Sequence, residues 1–121
     1  MRIEVKGRNV PITEEMRDCV ARRFRKVDAQ VSEFAELEVE LVKAKNPAIA
    51  MPYTATATLR LKGVTLRSHD ASHDPKHAIH LIEEEMTRQV KRHRVQRRHR
   101  RDARRVTQAQ RMRTEGAAPP A

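Results

Sequence analysis

Aromatic side chains are almost missing from this chain: Tyr53, Phe24 and Phe34 are all it has, and there is no tryptophan. That scarcity argues against binding single strands by base stacking, which needs aromatic platforms. It also leaves the core to be assembled from Val, Leu, Ile, Met and Ala. Cys19 is the single cysteine, so no internal disulfide and no cysteine-based metal site can form, and a reduced, cytoplasmic setting fits. No apolar run approaches the roughly 20 residues that a membrane-spanning helix requires. Met1-Arg2-Ile3 leads directly into a strand-like pattern, with no signal-peptide features. A Gly-rich phosphate loop and a nucleophile set beside a base are also missing. A metal-free, cofactor-free and non-enzymatic chain without a small-molecule substrate is therefore expected.

Positive charge is what the chain has in excess, and it is unevenly placed. Residues 91–105, KRHRVQRRHRRDARR, carry nine Lys and Arg and two His against a single Asp. From Lys91 to Ala121 there are eleven Lys and Arg against Asp102 and Glu115, a balance of +9, whereas residues 1–90 balance at +1. A nearly neutral body of about ninety residues, enough for one small core and too little for a deep active-site cleft, is thus joined to a concentrated cation. Each guanidinium is always charged and offers a planar fork that suits phosphate. Like charges three and four apart repel along a helix, so an anionic partner would offset that cost. The run has no apolar face with which to lie in a bilayer interface, so RNA is favoured over a membrane surface.

The body reads as alternating strands and helices. Residues 2–8 alternate, with Ile3 and Val5 opposite Arg2, Glu4 and Lys6. Thr13 before Glu14 and Glu15 is a good N-cap, and Met16, Val20, Phe24 and Val27 follow at helical spacing, which predicts one helix over 14–29 with Cys19 on its flank. Strands are predicted over 36–45 (Leu37, Val39, Leu41 inward), 53–62 (Tyr53, Ala55, Ala57, Leu59, Leu61 inward) and from Val64 to His69. Lys62-Gly63 supplies a two-residue hairpin turn that sets Leu61 opposite Val64. Asp74-Pro75 opens a second helix whose stripe is Ala78, Ile79, Ile82, Met86, Val90 and His93. Beyond Val90 the stripe fades, leaving either a solvated helix or an arm that orders on binding. The expected architecture is α+β, a two-layer βαβββα sandwich: a four-stranded sheet with two helices on one face and a basic C-terminal helical extension. The expected divisions are 1–95 for the folded domain, 96–115 for the extension and 116–121 for a linker-like end.

Several runs carry a resemblance. They are Ile3 to Val10 (IEVKGRNV), Ile12-Thr13 opening a helix with Arg17 and Val20, Tyr53 to Leu59 (YTATATL), Asp74 with Ala78-Ile79, and Arg88-Gln89-Val90. In order and spacing these resemble the N-terminal domain of the ribosome hibernation-promoting factor family, which includes ribosome-associated inhibitor A. The resemblance covers about residues 1–95. It implies a βαβββα fold and a cytoplasmic translation inhibitor that occupies the mRNA and tRNA channel of the small ribosomal subunit, contacting its rRNA without chemistry. By position it implies rRNA contacts at Arg22, Lys26, Arg88 and Arg92. Charge alone adds Arg23, Arg25, Lys91, Arg94, Arg97 and Arg98. Asp74-Pro75-Lys76 stands where the family often has Asp-Met-Tyr, and Glu85 stands at a position often basic in the family. The dimerisation domain of long family members has no counterpart in this sequence, so a monomer is expected.

Plainer readings stand beside these. A charged helix face is the ordinary explanation of Arg22, Arg23, Arg25 and Lys26, and solvent cover that of Glu83-Glu84-Glu85. His69, His73, His77 and His80 suggest a metal by spacing, but His73 precedes the helix start and no cysteine joins them, which favours a surface role. Two other functions are open: a general double-stranded-RNA-binding module, and an interaction protein acting on transcription machinery. If roughly six to ten phosphates are contacted, affinity should fall about 10³–10⁵ between 50 and 200 mM salt. Deleting residues 91–121 should flatten that slope and leave the fold intact, as read by salt-titrated binding and circular dichroism.

Overall fold

The computed structural model describes residues 1–116, and beyond His99 it describes side chains only at Arg101 and Ala103. Of the expected linker-like end, Gly116 closes the last helix and residues 117–121 lie outside the described residues. The chain divides into two compact units, Met1–Val90 and Lys91–Ala121.

In the first unit the elements are β1 (Arg2–Arg8), α1 (Glu14–Arg23), α2 (Arg25–Gln30), β2 (Glu36–Lys43), β3 (Tyr53–Leu61), β4 (Val64–Ser72) and the opening turns of α3 (Pro75–Gly116). The sheet order is β1-β2-β3-β4, with β1 parallel to β2 and the other pairs antiparallel. The α+β class and the four-stranded sheet are as the alternation predicts. Register follows the apolar pattern: Leu37 faces Leu59, Val39 faces Ala57 and Leu41 faces Ala55, all six buried. A one-residue slip would turn that whole set to solvent. Because Ala55 and Ala57 are small, the larger helix side chains Phe24, Ile79, Ile82 and Met86 fill the same core cluster. Each fully buried residue of that size contributes about 1.5–3 kcal/mol.

The first predicted helix is divided. Phe24, at φ −90 and ψ 11, separates α1 from α2. The bonds from Phe24 N–H to Val20 O and from Asp28 N–H to Phe24 O, both 2.9 Å, carry the ladder across the break. A buried aromatic loses rotamer freedom in a helix, and the re-aimed backbone keeps both Phe24 and Val27 inside the core. Thr13 caps α1 as expected, its Oγ1 accepting from Met16 N–H at 3.3 Å. The Gly63 backbone sits at φ 80, and Leu61 pairs with Val64.

β4 runs three residues past the expected His69, to Ser72. Two buried hydroxyls explain why it stays ordered there. Ser68 Oγ donates to Ile82 O at 2.9 Å, and Ser72 Oγ lies 2.7 Å from His77 Nδ1 while accepting from Asp74 N–H. Asp74 in turn caps α3 through Lys76 N–H at 3.3 Å. Across the helix starts, Lys76 Nζ meets Glu15 Oε1 at 2.6 Å. Its hydrogen bond and charge hold the Glu15 carboxyl below the usual carboxylate range and the Lys76 ammonium above its own. The pair's contribution is therefore present at neutral pH and lost as pH falls through the lowered Glu15 value. Both groups are fully exposed, so the effect is slight.

In the second unit the backbone is helical from Lys91 to Gly116, which favours the helical reading of the extension. Among residues 91–99 only His93 is half-buried.

At Gly7 the backbone is closely approached by its neighbours. A Cβ there would lie 2.4 Å from Val10 O and 2.7 Å from Ile12 Cγ1. Gly7→Ala should therefore destabilise the protein by about 1–3 kcal/mol, measured by urea unfolding. Lys62→Ala, on the exposed hairpin, should stay within about 0.5 kcal/mol.

Candidate nucleic-acid interface

The inward stripes determine which side chains are left outside. Met16, Cys19 and Val20 turn one side of α1 to the core, and Val27 does the same for α2. Arg22, Arg23 and Lys26 are then exposed. On α3, burial of Ala78, Ile79, Ile82 and Met86 leaves His80, Glu83, Glu84, Thr87 and Arg88 on the flank. These eight residues line one open groove of about 540 Å³.

The groove is polar and internally connected. Arg23 Nη1 lies 3.4 Å from His80 Nδ1, and His80 Nε2 lies 2.8 Å from Glu84 Oε1. Thr87 Oγ1 donates to Glu83 Oε1 at 3.0 Å. Arg88 Nη2 pairs with Glu85 Oε2 at 3.1 Å, and Gln89 Nε2 donates to Arg67 O at 2.6 Å, which ties α3 to β4. Four cations, Arg22, Arg23, Lys26 and Arg88, thus share a wall with two acids, Glu83 and Glu84. Such a surface suits oxyanions held by several cations from three helices, with little base readout.

Of the residues singled out by sequence, the fold brings Arg22, Arg23, Lys26 and Arg88 together. Arg25 is exposed on α2 and does not line this groove. Lys91, Arg92, Arg94, Arg97 and Arg98 belong to the second unit, where their side chains are exposed on the helix. His80, Glu83, Glu84 and Thr87 were not among the candidate binding residues. Their spacing contained the signal, since 80, 84 and 88 recur every fourth residue on one helix face. The His73 and His77 rings lie 6.0 Å apart, and those of His77 and His80 6.4 Å apart. Among the described residues no three metal-binding side chains form a cluster.

The open sheet face has a different character. Lys6 lies 3.4 Å and Arg60 3.5 Å from Glu38, and Arg8 lies 4.0 Å from Glu40. Exposed pairs of this kind add little stability. They do give Lys6, Arg8 and Arg60 local acidic partners, whereas the groove holds four cations against two acids.

Residues 3–98 match the family described as Sigma 54 modulation protein / S30EA ribosomal protein. The chain is 26% identical over 94 residues to a ribosome hibernation promotion factor of Picosynechococcus sp., covering 77% of this chain and 49% of that protein. It is also 26% identical over 101 residues to a ribosome hibernation promotion factor of Lactococcus lactis subsp. cremoris, covering 78% and 50%. The chain therefore spans about half the length of the curated relatives it matches. Among solved structures it is similar to the Thermus thermophilus Protein Y N-terminal domain, with a TM-score of 0.66 and 27% identity over 76% of this chain and 98% of that one. A ribosomal subunit interface protein from Coxiella burnetii has the same fold, with a TM-score of 0.66 at 16% identity over 78% and 99%.

If the groove contacts phosphate, the double change Arg22→Ala with Lys26→Ala should lower the salt slope of RNA binding by about 2, one unit for each lost cation. The double change Lys6→Ala with Arg60→Ala on the sheet face should leave it unchanged. Both slopes can be read by fluorescence anisotropy from 50 to 200 mM salt.

Proposed function

This chain belongs to the Sigma 54 modulation protein / S30EA ribosomal protein family, and from that premise we propose that it is a ribosome hibernation factor, a translation inhibitor that occupies the mRNA and tRNA channel of the small ribosomal subunit. The observation that carries the reading is the convergence of Arg22, Arg23 and Lys26 with Arg88 from a separate helix on one groove. Folded rRNA presents phosphates from several strands at once, and a wall of cations drawn from three helices fits that arrangement better than a single basic helix does. Phosphate contacts supply affinity and position, and the shape of folded rRNA supplies selectivity.

The mechanism is occupancy. A compact body docked by its helix side would exclude mRNA and tRNA from the same channel, with no bond made or broken and no metal or cofactor required. The cations of residues 91–98 extend the footprint and raise the encounter rate. Such a role is exercised in the cytoplasm, and among the described residues no helix is long and apolar enough to cross a membrane.

Two rivals differ in their anion or partner. A general double-stranded-RNA binder would use the same groove without preference for ribosomes. A modulator of transcription machinery, which the first half of the family's description keeps in view, would not need ribosomes at all. Sedimentation of the full chain with small subunits at 100 mM salt separates the three. The proposal expects co-sedimentation that survives excess plain duplex RNA and is lost when mRNA and tRNA fill the channel. Displacement by duplex RNA in stoichiometric amounts supports the first rival, and absence from the ribosomal fractions overturns the hibernation reading.

A further inference from the structure

His80 lines the groove, and its two ring nitrogens face different partners. Nδ1 is 3.4 Å from Arg23 Nη1 and Nε2 is 2.8 Å from Glu84 Oε1. An arginine is always protonated and can only donate. His80 Nδ1 must therefore accept from Arg23, and in a neutral ring the proton then resides on Nε2, where it donates to Glu84. The network thus selects one charge state and one tautomer. A second carboxylate, Glu83 Oε2, waits 3.9 Å from Nδ1, with its other oxygen already accepting from Thr87 Oγ1.

We propose that His80 is a positioning residue that holds Arg23 against the groove wall when neutral and releases it toward an RNA phosphate when protonated. Protonation puts a hydrogen on Nδ1, which can then no longer accept from Arg23. The ring becomes a cation paired with Glu84 through Nε2 and, across a short shift, with Glu83 through Nδ1. Arg23 loses its partner, meets a like charge in its place and turns to the groove. Both acids of the groove wall are then occupied by the imidazolium, so Arg22, Arg23, Lys26 and Arg88 face the ligand with less internal competition.

The charged and titratable groups around the ring are Arg22 and Arg23 from α1, Lys26 from α2, and Glu83, Glu84 and Arg88 from α3, with the His77 ring at 6.4 Å. The two nearest acids favour the protonated ring and the four cations oppose it. A bound phosphate among those cations would remove their opposition, so RNA binding and proton uptake should assist each other.

The inference rests on the RNA-binding reading of the groove, and its test has one arm independent of that reading. Nitrogen-15 chemical shifts of the full chain, with no RNA present, report the His80 tautomer directly. At pH 8 the proton is expected on Nε2, and a proton on Nδ1 would overturn the relay whatever the groove binds. Small-subunit binding at pH 8 and pH 6 is the second arm. Wild type should tighten by about three- to tenfold more than His80→Gln on acidification, because glutamine can accept and donate but does not titrate. Equal pH dependence in the two proteins, with His80→Gln folded by circular dichroism, would overturn the coupling. Glu84→Gln provides the check should His80→Gln unfold: it should abolish most of the same gain, and an undiminished gain counts against the proposal. Failure to bind small subunits at any pH, with the Nε2–H tautomer present, refutes the hibernation reading and the coupling to RNA while leaving the Arg23–His80–Glu84 relay standing.

Discussion

The packing of every helix stripe against one side of a single small sheet is the constraint on which the rest depends. The inner sheet face is closed by Leu37, Val39, Leu41, Ala55, Ala57 and Leu59, and the helices reach it through Met16, Val20, Phe24, Val27, Ile79, Ile82 and Met86. With three aromatic residues in the whole chain, no single bulky anchor can replace this interdigitation. Small alanines on β3 answer large side chains on the helices, and well-packed interiors tolerate little change in volume at such points. Once both stripes are committed inward, the polar flanks of α1, α2 and α3 have one place to go. The groove lined by Arg22, Arg23, Lys26, His80 and Arg88 is what that commitment leaves outside.

Most of the body was legible because its two periods are clean. Glu36 to Leu41 alternates acid and aliphatic, and Tyr53 to Leu61 alternates polar and apolar, so each strand announced its inner face. Gly63 and Asp74-Pro75 marked the hairpin and the start of α3 by backbone chemistry that few other residues provide. What escaped was local and tertiary. The break at Phe24 has no Pro or Gly to signal it. The end of β4 depends on Ser68 and Ser72 finding partners on α3, which alternation cannot foresee. In the groove, Arg22, Lys26 and Arg88 follow from the resemblance and Arg23 from charge, whereas His80 had only a surface role and Glu83 and Glu84 only solvent cover, because nothing in the linear order places Arg23 beside His80.

Acids inside a cationic groove have a physical purpose. A wall of four unpaired cations would repel itself and attract any polyanion. Glu83 and Glu84 reduce that repulsion in the free protein, and both lie beside His80. A ligand must then do better than the internal partners it displaces, which a phosphate cluster of matching geometry can do and a lone phosphate cannot. Selectivity for shape thus follows from competition within the site, in the way that unfavourable alternatives sharpen recognition elsewhere. On the sheet face, by contrast, Lys6, Arg8 and Arg60 are matched by Glu38 and Glu40.

The groove and the run at 91–105 therefore contribute different quantities to the proposed activity. Nine cations against one acid over fifteen positions create a strong field with little shape. At physiological salt that field decays over about 8 Å, so its effect is on encounter and on the number of counterions released, both sensitive to ionic strength. The groove holds fewer charges, but they are fixed by burial of the opposite helix faces and by bonds such as Arg23 to His80 and Thr87 to Glu83. Fixed charges lose less freedom on binding and so discriminate between anions of equal charge and different geometry. A chain with only the basic run would be a polyanion ligand of no particular address. Joined to a body that brings Arg22, Lys26 and Arg88 to one groove, the same charge would be the long-range part of the proposed recognition, with the groove supplying its selectivity.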